Sequence, residues 1–179
     1  MLGILIERRR GKTLARLPRG KGLGFLPKKD KSFAATEACT WRHRVMVGQV
    51  HDENAYSLGG FAGHAGLFGT VDGVLGFARD LMTGKVLTPK SVAELRKSHT
   101  ATRNLGWEHR YDGWSGGDLC SPETIGHTGF TGTGLWIDFA RGYAWTLLTN
   151  RVHPTRHVDT GIQDLRKAVG NRLAAAQPF

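Results

Sequence analysis

Residues 125–150 read IGHTGFTGTGLWIDFARGYAWTLLTN, and this stretch narrows the possible folds more than any other part of the chain. Leu135, Ile137 and Phe139 alternate with Trp136 and Asp138, the period of a strand with two unlike faces. Arg141-Gly142 then makes a tight connection into Tyr143 to Thr149, so three antiparallel strands follow one another as a meander. After Pro154, the residues Val158, Ile162, Leu165, Val169 and Leu173 recur at spacings of four, three, four and four, which gives a helix one apolar face to lay on that sheet. The class is α+β, an antiparallel sheet with packed helices.

Two further helices announce themselves by their ends. Thr70 is a good N-cap with Asp72 in the first turn, and Val71, Leu75, Ala78, Leu81 and Met82 form an apolar stripe that stops at Gly84. Thr88 to about Ser98 has Pro89 at the first helical position and is anchored by Val92 and Leu95. Leu2 to Arg10 reads as a short helix, followed by a basic, loop-rich stretch over 11–32 punctuated by glycines and prolines. Phe33 to Arg44 has no clean period, Val45 to Asp52 reads as a short strand, and 58–69 is a glycine-rich loop, LGGFAGHAGLFG. Thr102 to Glu123 suggests strand fragments and turns, and no internal repeat is visible.

A chain of 179 residues is long enough for one domain or part of a larger one. Its composition, 40% hydrophobic with 22% charged, is globular, and the 25 glycines call for a reason. No window approaches a membrane span, and MLGILIERRR places its apolar run before its arginines, the reverse of a secretory signal. The chain carries no address label, and its compartment is left open between cytoplasmic as it stands and a periplasmic parent. Cys39 and Cys120 have no CxxC partner and read as buried free thiols. The net charge of +10 is concentrated in the first 31 residues and reads as a solvated basic surface. Nucleic acid is an unfavoured partner, because no aromatic interleaving or recognition motif accompanies the charge.

Most chemical motifs are excluded one by one. The glycine cluster Gly129-Phe130-Thr131-Gly132-Thr133-Gly134 matches neither phosphate-loop pattern and runs into a strand, so no nucleotide cofactor is implied. His51 and Glu53 would share one face of an extended segment, with His64 further on, but a third metal ligand at a telling spacing is missing. A hydrogen-bonded loop anchor is the better reading there, and His153 and His157 lack the HExxH glutamate, so no metal is assigned. Ser32, Ser57, Ser91, Ser98, Ser115 and Ser121 all lack a lysine three residues on and an elbow context. From the residues alone, His127-Thr128-Gly129 is either the rim of a cleft or a histidine capping a strand end.

Taken together, GQVHDENAYSLGGFAGHAGLFGTVDGVLGFARDLM and GHTGFTGTGLWIDFARGYAWTLLTNRVHP resemble the C-terminal half of serine hydrolases related to penicillin-binding proteins and class C β-lactamases, in their esterase-like branch. In that family a Gly-His-Ala-Gly-Leu-Phe loop leads into a helix beginning Thr-x-Asp, and a His-Thr-Gly or Lys-Thr-Gly strand follows. The earlier AATEACTWRHRVMVGQVHDENA and MLGILIERRRGKTL are also similar to family segments, so the likeness covers nearly the whole chain.

The resemblance implies a partial β-lactamase/transpeptidase-like fold, with 1–179 as the C-terminal portion of one such domain. It also implies hydrolysis of an ester, amide or β-lactam through an acyl-serine, with a small-molecule or peptidoglycan-like acyl substrate. His127 would tune the electrostatics of the site or contact the substrate, Thr128 would hydrogen-bond it, and Gly129 would let its backbone lie close. The backbone N–H of Phe130 would be one oxyanion donor. Gly63, His64 and Gly66 would border the cleft or buttress it. The family's Ser-x-x-Lys and tyrosine motifs would lie before Met1, so this chain alone is expected to be silent. The alternative is a non-catalytic binding piece, either half of a split hydrolase that pairs with a separate Ser-x-x-Lys chain or a basic module that holds an anionic polymer.

Overall fold

The computed structural model describes residues 1–17, 20–27 and 33–176. Arg19, Lys28, Lys29 and Lys31 of the basic stretch therefore lie outside the described residues. The chain divides into two compact units, Met1–Gly73 with Asn150–Val158, and Val74–Thr149 with the residues from Asp159 on.

In the second unit, strands β6 (Thr124–Thr128), β7 (Thr133–Asp138) and β8 (Tyr143–Leu148) form the expected meander. The short β5 (Glu108–His109) adds to it, giving the antiparallel order β5-β6-β7-β8. Alternation puts Ile125 and Ile137 on one face, where they are buried with Ala78, Leu81 and Leu95. Those partners come from α3 (Val71–Met82) and α4 (Pro89–Arg96). Both helices start as their caps direct: Thr70 Oγ1 accepts from Gly73 N–H at 3.1 Å, and Thr88 Oγ1 from Ser91 N–H at 3.2 Å.

Trp136 and Trp145 occupy the opposite face, stacked at 5.8 Å and packed with Trp114 and Cys120. Here part of the glycine excess finds its reason. A Cβ on Gly126 would lie 2.2 Å from the Trp136 ring, and one on Gly134 2.3 Å from it, so the strands are stripped of side chains where the indole lies. Helix α5 (Ile162–Ala176) belongs to this layer, since a Cβ on its Gly170 would come 3.3 Å from Trp145 and 2.0 Å from the Gly116 carbonyl. Asn171 Oδ1 accepts from the N–H groups of Asp118 and Leu119 at 2.6 and 3.0 Å.

The buried face of α5 differs from the expected one. Ile162, Arg166, Gly170 and Ala174 are buried, a strict four-residue repeat. Leu165 and Leu173 are 46% and 36% exposed, and Val158 lies before the helix. The close backbone approach at Gly116 turns Gly170 inward, while Ile162 and Val169 of the expected face keep their packing.

The first unit holds α1 (Leu2–Arg10) and two short antiparallel pairs, β1 (Leu23–Phe25) with β4 (Leu67–Gly69) and β2 (Ala38–Cys39) with β3 (Arg44–Val45). Segments 11–32 and 58–69 are thus not wholly loop, because three residues of each pair with one another. The strand expected over Val45 to Asp52 ends at Val45: Gly48 turns the chain with φ 61°, and Asp52 caps a new helix, α2 (Glu53–Ser57), by accepting from Ala55 N–H at 2.7 Å. Met46, Val50, Ala55 and Val152 are buried in this unit. Cys39 and Cys120 are both free and buried. Among the described residues no helix is long and apolar enough to cross a membrane.

Candidate active site

His127 and Thr128 close strand β6, paired with Leu135 and Gly134 of β7. Gly129 then begins the turn into β7. Buried positions give way to exposed ones along β6: Ile125 and Gly126 are buried, His127 is exposed, Thr128 and Gly129 are half-buried. The end of an inner strand thus emerges into solvent at the triplet.

Three groups fix the turn. Gly129 N–H donates to the Thr133 carbonyl at 2.8 Å, closing it. A Cβ on Gly129 would sit 2.1 Å from Thr133 Oγ1, so a side chain there would force the Thr133 hydroxyl to move. Finally Arg166, only 3% exposed, reaches from α5 and donates to the carbonyls of Gly129 at 3.0 Å and Thr133 at 2.8 Å. A buried guanidinium is the natural clamp for converging carbonyls, since it offers several donors in a rigid fork. The Phe130 side chain that follows is exposed.

The His127 ring is held at both nitrogens. Nδ1 lies 2.8 Å from the Thr128 carbonyl and Nε2 lies 3.1 Å from Arg103 Nη1. Arg103 in turn pairs with Glu108 Oε1 at 3.1 Å. Neither Arg103 nor Arg166 was singled out from sequence. A charged residue four places after Ile162 in a helix is the one signal that could have marked Arg166, and Arg103 carries none.

The serines of this unit have other work. Ser121 Oγ donates to Asp138 Oδ1 at 2.6 Å, and Ser115 Oγ accepts from Trp136 Nε1–H at 3.3 Å, both buried. Burial pushes the Asp138 carboxyl up, but the Ser121 hydroxyl, the Ser121 N–H and the Arg141 N–H together hold it below its ordinary range.

Gly63, His64 and Gly66 lie in the other unit, between α2 and β4. His64 Nε2 is 3.1 Å from the Asp52 carboxylate that caps α2. Gly63 packs on Gly3 of α1, and Gly66, at φ 104°, would place a Cβ 2.7 Å from the Gly60 carbonyl. His51 is part of a buried anchor: its Nε2 lies 2.9 Å from Glu37, and Arg156 bridges Glu37 and Glu53 at 2.5 and 2.6 Å. Among the described residues no group of three acidic, histidine or cysteine side chains is arranged to hold a metal ion.

The family model described as Beta-lactamase matches residues 1–169. The chain belongs to the β-lactamase family. Relatives in Salmonella gallinarum and Salmonella agona, each named "Putative D-alanyl-D-alanine carboxypeptidase", are 40% identical over 126 residues. These matches cover 63% of this chain and 29% of each relative, so the chain matches less than a third of their length. Among solved structures, a β-lactamase from Mycobacterium bovis is similar over 64% of this chain and 47% of its own, with TM-score 0.55 and 22% identity. Simvastatin synthase from Aspergillus terreus is similar over 97% of this chain and 53% of its own, with TM-score 0.63 and 15% identity. The α+β arrangement is accordingly that of a partial β-lactamase-like fold, in a family of serine hydrolases related to penicillin-binding proteins.

Proposed function

We propose that this chain is the C-terminal portion of one β-lactamase-like domain and supplies one rim of an acyl-serine site. The observation that carries the reading is the placement of His127-Thr128-Gly129 at the exposed end of β6, with a turn clamped from behind by a buried arginine. Thr128 hydrogen-bonds a substrate carboxylate or carbonyl, Gly129 admits the substrate backbone, and the N–H of Phe130 is one oxyanion donor. The names of the Salmonella relatives favour a peptidoglycan-type acyl substrate.

The nucleophile comes from a Ser-x-x-Lys segment on another stretch of polypeptide, because none of this chain's serines has a lysine three places on. Burial of Ser115 and Ser121 in structural hydrogen bonds supports that assignment. Intact mass after incubation with a fluorophosphonate, and separately with a penicillin, tests it. The chain alone is expected to give no adduct, and a mixture with a family Ser-x-x-Lys polypeptide is expected to give one on that partner. A stoichiometric adduct on a serine of this chain would overturn the reading.

A further inference from the structure

We propose that His127 is locked by Arg103 as the neutral Nδ1–H tautomer, and that it positions the site rim without serving as acid, base or substrate ligand. The inference rests on the reading of the triplet as that rim, and its geometry is local. The partner of Nδ1 is a carbonyl, which only accepts, so Nδ1 carries the proton. The partner of Nε2 is a guanidinium, which only donates, so Nε2 offers its lone pair. A single ring state satisfies both.

The support behind Arg103 is built into the sheet. Arg103 forms an isolated antiparallel bridge with Glu108, and Glu108 pairs with Gly126 of β6, the residue before His127. The Glu108 carboxylate is 9% exposed as a residue and holds the second guanidinium nitrogen, so Arg103 cannot swing away without leaving a largely buried charge unpaired. The result is a line of hydrogen bonds from Glu108 through Arg103 and the imidazole to the Thr128 carbonyl. With both ring nitrogens engaged, the polar groups the triplet offers to a substrate are the Thr128 hydroxyl and the backbone beyond it. Through its Nδ1 contact His127 holds the Thr128–Gly129 peptide plane, from which the backbone beyond the triplet continues. An imidazole without such partners favours the Nε2–H form, so the Nδ1–H form reports the two contacts together, and removing Arg103 takes away one of them.

Long-range proton–nitrogen correlation spectra of the full nitrogen-15-labelled chain, taken on the alkaline side of the imidazole titration, test this. The wild-type His127 is expected in the Nδ1–H pattern. Arg103→Met, which leaves only the Thr128 carbonyl, is expected to lower the Nδ1–H fraction and bring in Nε2–H, and Arg103→Lys, which keeps a donor, to retain Nδ1–H. An Nε2–H pattern in the wild type, or an Nδ1–H fraction that does not fall in Arg103→Met, would overturn the proposal. Should Arg103→Met fail to fold, the same fall is read in Arg103→Ala. The spectra need no turnover, so an acyl-serine found on this chain would sink the functional reading alone, and an Nε2–H pattern the tautomer lock alone.

Discussion

Glu37 ties folded stability to acid, alongside Asp52, Glu53 and Asp138, whose carboxyls are also held low. Arg156, 119 positions further along the chain, donates to it from both Nε and Nη2, and with help from His51 these bonds outweigh the cost of burial and lower its pKa from 4.5 to about 2. That difference corresponds to about 3 kcal/mol. Because the folded-state value is the lower one, this stability is fully present above 4.5 and is lost as pH falls toward about 2. Urea unfolding at neutral pH and in acid should show the wild type losing stability across that window. Glu37→Gln should be weaker at neutral pH by roughly 3 kcal/mol, with a flatter acid profile. An equally steep profile in the variant would assign the effect to another carboxylate. None of this network was readable from sequence beyond His51 and Glu53 as a loop anchor, since no local pattern joins Glu37 to a residue so far away.

At the scale of elements, what the sequence disclosed follows from how local the signal is. Helices α3 and α4 were legible because their caps and apolar stripes lie within a few residues of each other, and β7 and β8 because alternation survives over six residues each. The β1–β4 pair was not, being three residues long and joined across the chain. The strand end that carries the triplet was legible, but the contacts that Arg103 and Arg166 make there were not. Helix α5 was placed correctly and rotated wrongly, because apolar spacing cannot foresee that a carbonyl at Gly116 would approach the helix backbone. Two glycines turn that lesson into a measurement. Gly170→Ala puts a methyl 2.0 Å from the Gly116 carbonyl and should cost about 1–3 kcal/mol or more. Gly76→Ala, in α3 with nothing within 4 Å, should stabilise by about 0.5–1 kcal/mol. Thermal melts of the two variants should move in opposite directions, and parallel shifts would show that propensity, not packing, governs both sites.

At the scale of the whole molecule, apolar surface is distributed unevenly. Leu2, Ile4, Leu5 and Ile6 of α1 are all exposed, as are Trp41, Val45, Val47, Leu58 and Leu67 in the same unit. Four exposed apolar side chains on one nine-residue helix offer an apolar surface to a reporter dye. Native chain should therefore enhance anilinonaphthalene sulfonate fluorescence, and the double variant Ile4→Lys with Leu5→Lys should reduce the signal while leaving the melting temperature nearly unchanged. An unaltered signal would place the dye elsewhere.

The arginine clamp behind the triplet also has a meaning in time. The turn at 129–133 takes two of its hydrogen bonds from a residue 37 and 33 positions downstream. On the ribosome, His127-Thr128-Gly129 therefore emerges well before the side chain that holds its turn in shape. A nascent chain stalled short of Arg166 has the triplet in its sequence but lacks the clamp on the turn that follows it, and the turn is finished only when α5 docks.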